Sequence, residues 1–153
     1  MKQKAEAGDA AAQYALTLYV DDASQAEQLL KKAADAGHPS AVVTFAETLM
    51  NQGGAEAARA KSMLEGAAQR GYYPAIAELV RCLDAGECGQ PSKVVAYTWV
   101  VVADLLAQQG KIEKSELGEE GRRLRPQLSQ VELEQAQVNA KAIAERLSTA
   151  GSR

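Results

Sequence analysis

Few side chains in this sequence are equipped for chemistry, and their spacing limits what they can do. His38 is the one histidine, set between Gly37 and Pro39. Acid–base catalysis and zinc binding need an imidazole working with other ligands or bases, so a lone His in such a setting reads as a turn or capping residue. Cys82 and Cys88 are the only thiols. Two ligands do not make a metal site. A turn through GECGQP (86–91) can bring their α-carbons within the roughly 4.4–6.8 Å that a disulfide requires. Two readings stay open: a bridge in an oxidising compartment, or a pair of unpaired structural thiols in the cytosol. No G-x-S-x-G elbow presents a serine nucleophile, and Gly53–Gly54 is not followed by the G-K-[ST] of a phosphate loop. Asp21–Asp22 and Glu119–Glu120 read as solvated faces or helix ends. The expectation is a chain with no catalytic residues, no metal site and no cofactor: not an enzyme.

Composition defines the elements that must carry these residues. The chain has 153 residues, 46% hydrophobic and 24% charged, enough for one domain with a real core. Only 5% of residues are aromatic. A core of Ala, Leu and Val suits closely packed helices. The net charge is −3 with the two signs intermixed, so nothing marks a nucleic-acid footprint or a polybasic membrane patch. MKQKAEAGDA has no apolar h-region of a signal peptide. The longest apolar stretch, Val94 to Ala103, falls far short of the roughly 20 residues of a spanning helix. Neither nucleic acid nor membrane insertion is expected.

Internal repetition organises the chain. AEAGDAAA (5–12), ADAGHPSA (34–41) and QRGYYPA (69–75) are one boundary element repeated, with Gly8, Gly37 and Gly71 as residues that close a helix in the left-handed conformation. The Gly-to-Gly spacings are 29 and 34 residues, and 39 more reach Gly110, periods of helix-pair units. In the first helix of each pair, Ala12, Leu16 and Tyr19 or Val20 align with Ala41, Phe45 and Leu49, then Ala75, Leu79 and Leu83. In the second, Ala26, Leu29, Leu30 and Ala33 align with Ala60, Met63, Leu64 and Ala67, then Ala96, Trp99, Val100 and Ala103. Both stripes have helical period. Asp9 and His38 stand at helix starts, Pro39 and Pro74 suit first turns, and Ser92 is placed to cap the third second-position helix.

VVAYTWVVVADLL (94–106) has the β-branched content of a strand, but its length and its superposition on two Ala-rich helices predict a buried helix. After Gly110 the pattern stops. KIEKSELGEEGRRLRP (111–126) predicts a weak helix ended before Pro126. Ser129 and Glu132 then form an S-x-x-E capping box ahead of a final apolar-striped helix, which closes the open end of the stack.

AAAQYALTLYV (10–20), LLKKAADAGH (29–38) and AYTW (96–99) resemble Sel-1-like repeats, relatives of the tetratricopeptide repeats that are common in bacteria. The resemblance covers about residues 5–110, and LSQVELEQA (128–136) is similar to the helix that often follows such arrays. The usual Gly in the middle of the first helix is replaced by Thr17, Ala46 and Val80, and the loops DDAS (21–24) and NQGGAE (51–56) are shortened. The resemblance implies an all-α, right-handed α-α superhelix of about three repeats (5–37, 38–71, 72–110) with capping helices at 111–150, in a single domain spanning 1–153. It further implies a non-catalytic scaffold or adaptor that holds a protein or peptide on its concave face. Aligned on first-helix positions, that face comprises Tyr14, Leu18 and Asp21, then Val43, Glu47 and Met50, then Ala77, Arg81 and Asp84. An alternative is a structural or self-associating segment of a larger solenoid, a homo-oligomer, since Ala5 to Gly8 align with the end of a second helix. Location follows the cysteines: periplasmic or envelope if bridged, otherwise cytoplasmic.

Overall fold

A computed structural model describes residues 1–150. The helices are α1 (Lys2–Glu6), α2 (Ala10–Leu16), α3 (Ala23–Asp35), α4 (Pro39–Gln52), α5 (Gly54–Ala68), α6 (Tyr73–Ala85), α7 (Lys93–Gln108), α8 (Gly118–Leu124) and α9 (Gln130–Ala150), with 3₁₀ turns at Thr17–Tyr19 and Arg125–Gln127. No strand occurs among the described residues. Consecutive helices pack on each other from α1 through α8, α9 lies along α7, and α4 also touches α6. The architecture is an all-α solenoid of hairpins α2/α3, α4/α5 and α6/α7, with α8 and α9 at its C-terminal end.

One hydrogen-bond motif, repeated four times, sets the path. At each second-helix end a glycine turns left-handed, with φ +90° at Gly8, +79° at Gly37 and Gly71, and +67° at Gly110. The amide after the glycine then donates back to a carbonyl five residues earlier: Asp9 to Lys4, His38 to Ala33, Tyr72 to Ala67 and Lys111 to Leu106, all 2.9–3.2 Å. This Schellman closure satisfies carbonyls that the helix leaves orphaned. In the first three cases the donating residue is also the N-cap of the next helix. One residue therefore ends one helix and begins the next. Asp9 accepts from the Ala12 amide at 2.8 Å, and His38 Nδ1 accepts from the Ala41 amide at 3.3 Å.

The core follows from the alternation of small and large side chains. Ala33, Ala41, Ala60, Ala67, Ala75, Ala96 and Ala103 are fully buried, which lets helix axes approach closely, while Phe45, Leu49, Leu64, Leu79, Leu83, Trp99 and Val100 fill the space between. The 94–106 segment lies within α7. Burial on most sides explains its continuous apolar run.

Not every local expectation holds. The first helix of the first hairpin gives way at Thr17 to a 3₁₀ turn, where the Thr17 hydroxyl donates to the Tyr14 carbonyl at 2.6 Å. Leu16, the last residue of α2, is only half-buried, and Tyr19, past the tighter winding that breaks the helical register, is exposed. Ser92 occupies the N-cap of α7 but makes no side-chain capping bond. In the 111–126 segment the helix ends at Leu124, yet a 3₁₀ turn carries the chain through Pro126, tolerated because a first-turn residue needs no donor. The capping box at α9 forms as read: the Ser129 amide and hydroxyl donate to Glu132 Oε2 at 2.8 and 2.7 Å.

Candidate interaction face

The residues nominated from the sequence lie on or just after α2, α4 and α6, and the structure brings some of them together. Closest to a functional cluster are Glu47 on α4 and Arg81 on α6. Arg81 Nη2 is 2.7 Å from Glu78 Oε2, and the Glu78 side chain is only 11% exposed. Glu47 senses both: partial burial and the Glu78 carboxylate push its pKa up, while the Arg81 guanidinium opposes them. Charge is therefore shared across neighbouring first helices.

One turn further on, the Asp84 carboxylate, 10% exposed, ion-pairs with Arg123 of α8. Glu78, Arg81, Asp84, Lys93 and Arg123 line a cleft of about 640 Å³, with Lys93 hydrogen-bonded to Gln127 at its edge. Of these, Glu78, Lys93 and Arg123 were not singled out in the sequence. Glu78 carried a usable signal, since it precedes Arg81 by one helical turn. Arg123 carried none, because nothing in its local sequence announces that α8 folds back to α6.

The remaining candidates distribute differently. Val43, Met50 and Ala77 are half-buried and packed against the core. Tyr14 stacks on His38 with ring centroids 4.9 Å apart and planes 28° apart. Leu18 is 76% exposed. Asp21 lines a separate pocket of about 620 Å³ at the N-terminal end, with Leu16, Tyr19, Val20 and Leu29. Asp21 thus lies at the N-terminal pocket, Tyr14, Val43, Met50 and Ala77 are half-buried, and Arg81 and Asp84 line the charged cleft, while Leu18 and Glu47 are exposed outside both cavities.

Cys82 and Cys88 are bridged, with α-carbons 5.3 Å apart, and both are buried. The bridge ties the last turn of α6 to the loop that leads past the cleft into α7. Among the described residues, no cluster of three or more His, Cys, Asp or Glu is arranged to hold a metal ion, and no helix is long and apolar enough to cross a membrane.

Stacked hairpins joined by shared cap residues, presenting surface clefts, place the molecule in the class of helical-repeat solenoids. No protein-family model and no curated protein matches the sequence. Among solved structures, the chain is similar to c5321, described as a protective antigen present in uropathogenic Escherichia coli strains and displaying an SLR fold, with a TM-score of 0.58 and 17% identity. The match covers 97% of this chain and 40% of that one, so the chain spans well under half of that structure. The likeness is one of fold.

Proposed function

We propose that the chain is a non-catalytic scaffold of the Sel-1-like repeat type, a single domain with units at 5–37, 38–71 and 72–110 and capping helices at 111–150. Its first-helix face binds a protein or peptide. The observation that carries this reading is the charged cleft where α6, α7 and α8 meet, continued electrostatically onto α4 at Glu47. Carboxylates and guanidiniums held there in fixed pairs, together with the half-buried Val43 and Met50 of α4 and Ala77 of α6, give the mixed apolar and charged composition suited to an extended segment or a helix. The fold likeness to an SLR structure supports the same reading.

Two further observations favour a scaffold over an enzyme. His38 is occupied as a helix cap and in a ring stack. Glu78 and Asp84 are engaged by arginines rather than set opposite a nucleophile. The Cys82–Cys88 bridge favours an oxidising compartment such as the periplasm or envelope.

The deciding experiment immobilises the chain, captures partners from envelope and lysate fractions of the source organism, and repeats the capture with Glu47→Arg and Arg81→Glu. Circular dichroism verifies that helical content is unchanged. A partner lost from both variants supports this face, and one retained by both rejects it.

A further inference from the structure

The two signs of charge in the cleft differ in how far they reach solvent. The carboxylates of Glu78 and Asp84 are only 11% and 10% exposed, and each is already met by an arginine, Arg81 and Arg123. Those arginines are 58% and 57% exposed. Lys93 at the start of α7 is exposed as well, with Gln127 as its hydrogen-bond partner. Among the lining carboxylates only Glu87, on the loop between α6 and α7, is exposed. A visitor therefore meets three cations and one anion, although the six formal charges of the lining cancel and the whole chain carries −3.

Exposure decides which sign is available for binding. A carboxylate that faces a guanidinium and little solvent has few lone pairs left to offer. A guanidinium carries five N–H donors in a planar fork. Arg81 turns Nη2 to Glu78 and Arg123 turns Nη1 to Asp84, and more than half of each side chain stays open to solvent. Donors of this kind take further carboxylates in charge-assisted, bidentate bonds. Apart from Ala85 the lining is polar, so the cleft suits charged groups rather than an apolar anchor. Its three cations come from α6, α7 and α8, around a space of about 640 Å³, far larger than one carboxylate. A chain bearing successive carboxylates spans them, where one small anion does not.

Taking this cleft as part of the binding face proposed above, we infer that its occupant is an acidic segment of the partner, a stretch with several Asp or Glu side chains that pair with Arg81, Lys93 and Arg123. Glu47 lies outside the cleft and meets another part of the partner. Because the charges of the lining balance, selection acts at contact, through bonds to the exposed donors, rather than by attraction from afar.

Fluorescence anisotropy with a labelled peptide of alternating Glu and Ser tests this, with Gln-Ser and Lys-Ser peptides and oligothymidylate as comparisons. The Glu-Ser peptide binds, and the other three bind at least about tenfold more weakly. Arg81→Gln, Lys93→Gln and Arg123→Gln each weaken it by about threefold to tenfold, whereas Glu87→Gln tightens it by about twofold, since an exposed repulsion is removed. Lys141→Gln on α9 and Glu47→Arg, both outside the cleft, do not weaken it. Circular dichroism verifies the fold of every variant, and the exposed positions Lys93 and Glu87 keep the test decisive if an arginine variant unfolds. A Glu-Ser peptide that does not bind, a comparison ligand that binds equally, cation variants without effect, or a Glu87→Gln chain that binds more weakly overturns the acidic occupant. The binding face itself falls only if the captured partner is retained by both Glu47→Arg and Arg81→Glu, so the two failures are distinguishable.

Discussion

Arg123 of α8 ion-pairs with Asp84 in the last turn of α6, so a residue from beyond the repeating region closes the cleft that the third hairpin begins. The pair is asymmetric: the carboxylate is 10% exposed and the guanidinium 57% exposed. Asp84 therefore loses most of its water and depends on its partner. Arg123→Ala leaves that carboxylate without its partner and is expected to cost about 1–2 kcal/mol, less than the roughly 3–5 kcal/mol of a fully buried pair because one side still meets solvent. Asp84→Asn combined with Arg123→Ala recovers part of the loss. Urea denaturation of the four chains of the cycle checks both.

Leu79 is fully buried between helices, and Leu79→Ala is expected to destabilise by about 2–5 kcal/mol. The aligned Leu16 is half-buried beside the N-terminal pocket, so Leu16→Ala should cost less than half as much. Equal midpoint shifts in urea would contradict this difference in burial.

That contrast marks how far the sequence could be read. Helix pairs, the glycine closures and the capping box were legible because each depends on residues within one or two turns, and α7 was legible because its length and alignment outweighed its β-branched content. The premature end of α2 was not, since Leu16 and Tyr19 have the right spacing for a helix and only the 3₁₀ turn that begins at Thr17 interrupts it. The site was legible in part. Glu47, Arg81 and Asp84 followed from repeat alignment, whereas Arg123 and Lys93 reach the cleft through contacts more than thirty residues long in sequence.

The Cys82–Cys88 bridge closes a short loop, with a sequence separation of 6, so it restricts the unfolded chain only modestly. Replacing both cysteines with Ala is expected to lower stability by about 2 kcal/mol on the loop-entropy relation. The helical circular dichroism spectrum should remain, because α6 and α7 pack on each other through many other buried residues. Thermal unfolding of oxidised and reduced wild type alongside the double variant measures the effect.

Gly121 and Gly118 lie in the same short helix but behave oppositely. A β-carbon at Gly121 would meet Val100 Cγ1 at 3.0 Å, against the packed face of α7, whereas one at Gly118 would meet only the end of the Arg122 side chain at 3.7 Å. Gly118→Ala should stabilise by about 0.5–1 kcal/mol through reduced backbone entropy. Gly121→Ala should instead be destabilising, by about 1 kcal/mol, as overpacking outweighs the same entropic gain. Chemical denaturation of the two variants gives shifts of opposite sign if the close approach of α8 to α7 is correct.

Glu47 and Glu132 should respond to pH in opposite senses. Burial and the Glu78 carboxylate raise the Glu47 pKa against the pull of Arg81, so the folded chain binds that proton more tightly than the unfolded chain does. Its stabilising contribution is therefore complete below the ordinary carboxylate pKa and is lost as pH rises through the higher, folded value. Glu47→Gln removes the loss and should stabilise the fold at pH 7 by a few tenths of a kcal/mol, small because the side chain is still largely in water. The difference from wild type should vanish below about pH 4. Glu132 has the reverse sign: bonds from the Ser129 amide and hydroxyl hold its pKa down, so its contribution is present above the ordinary carboxylate value and is lost as pH falls through the lower, folded one. A stability curve of the wild type alone mixes the two. Paired urea titrations of wild type with Glu47→Gln and with Glu132→Ala, at pH 7 and near pH 3, separate them. A Glu47→Gln chain less stable than wild type at pH 7 would mean that attraction to Arg81 outweighs burial and repulsion from Glu78.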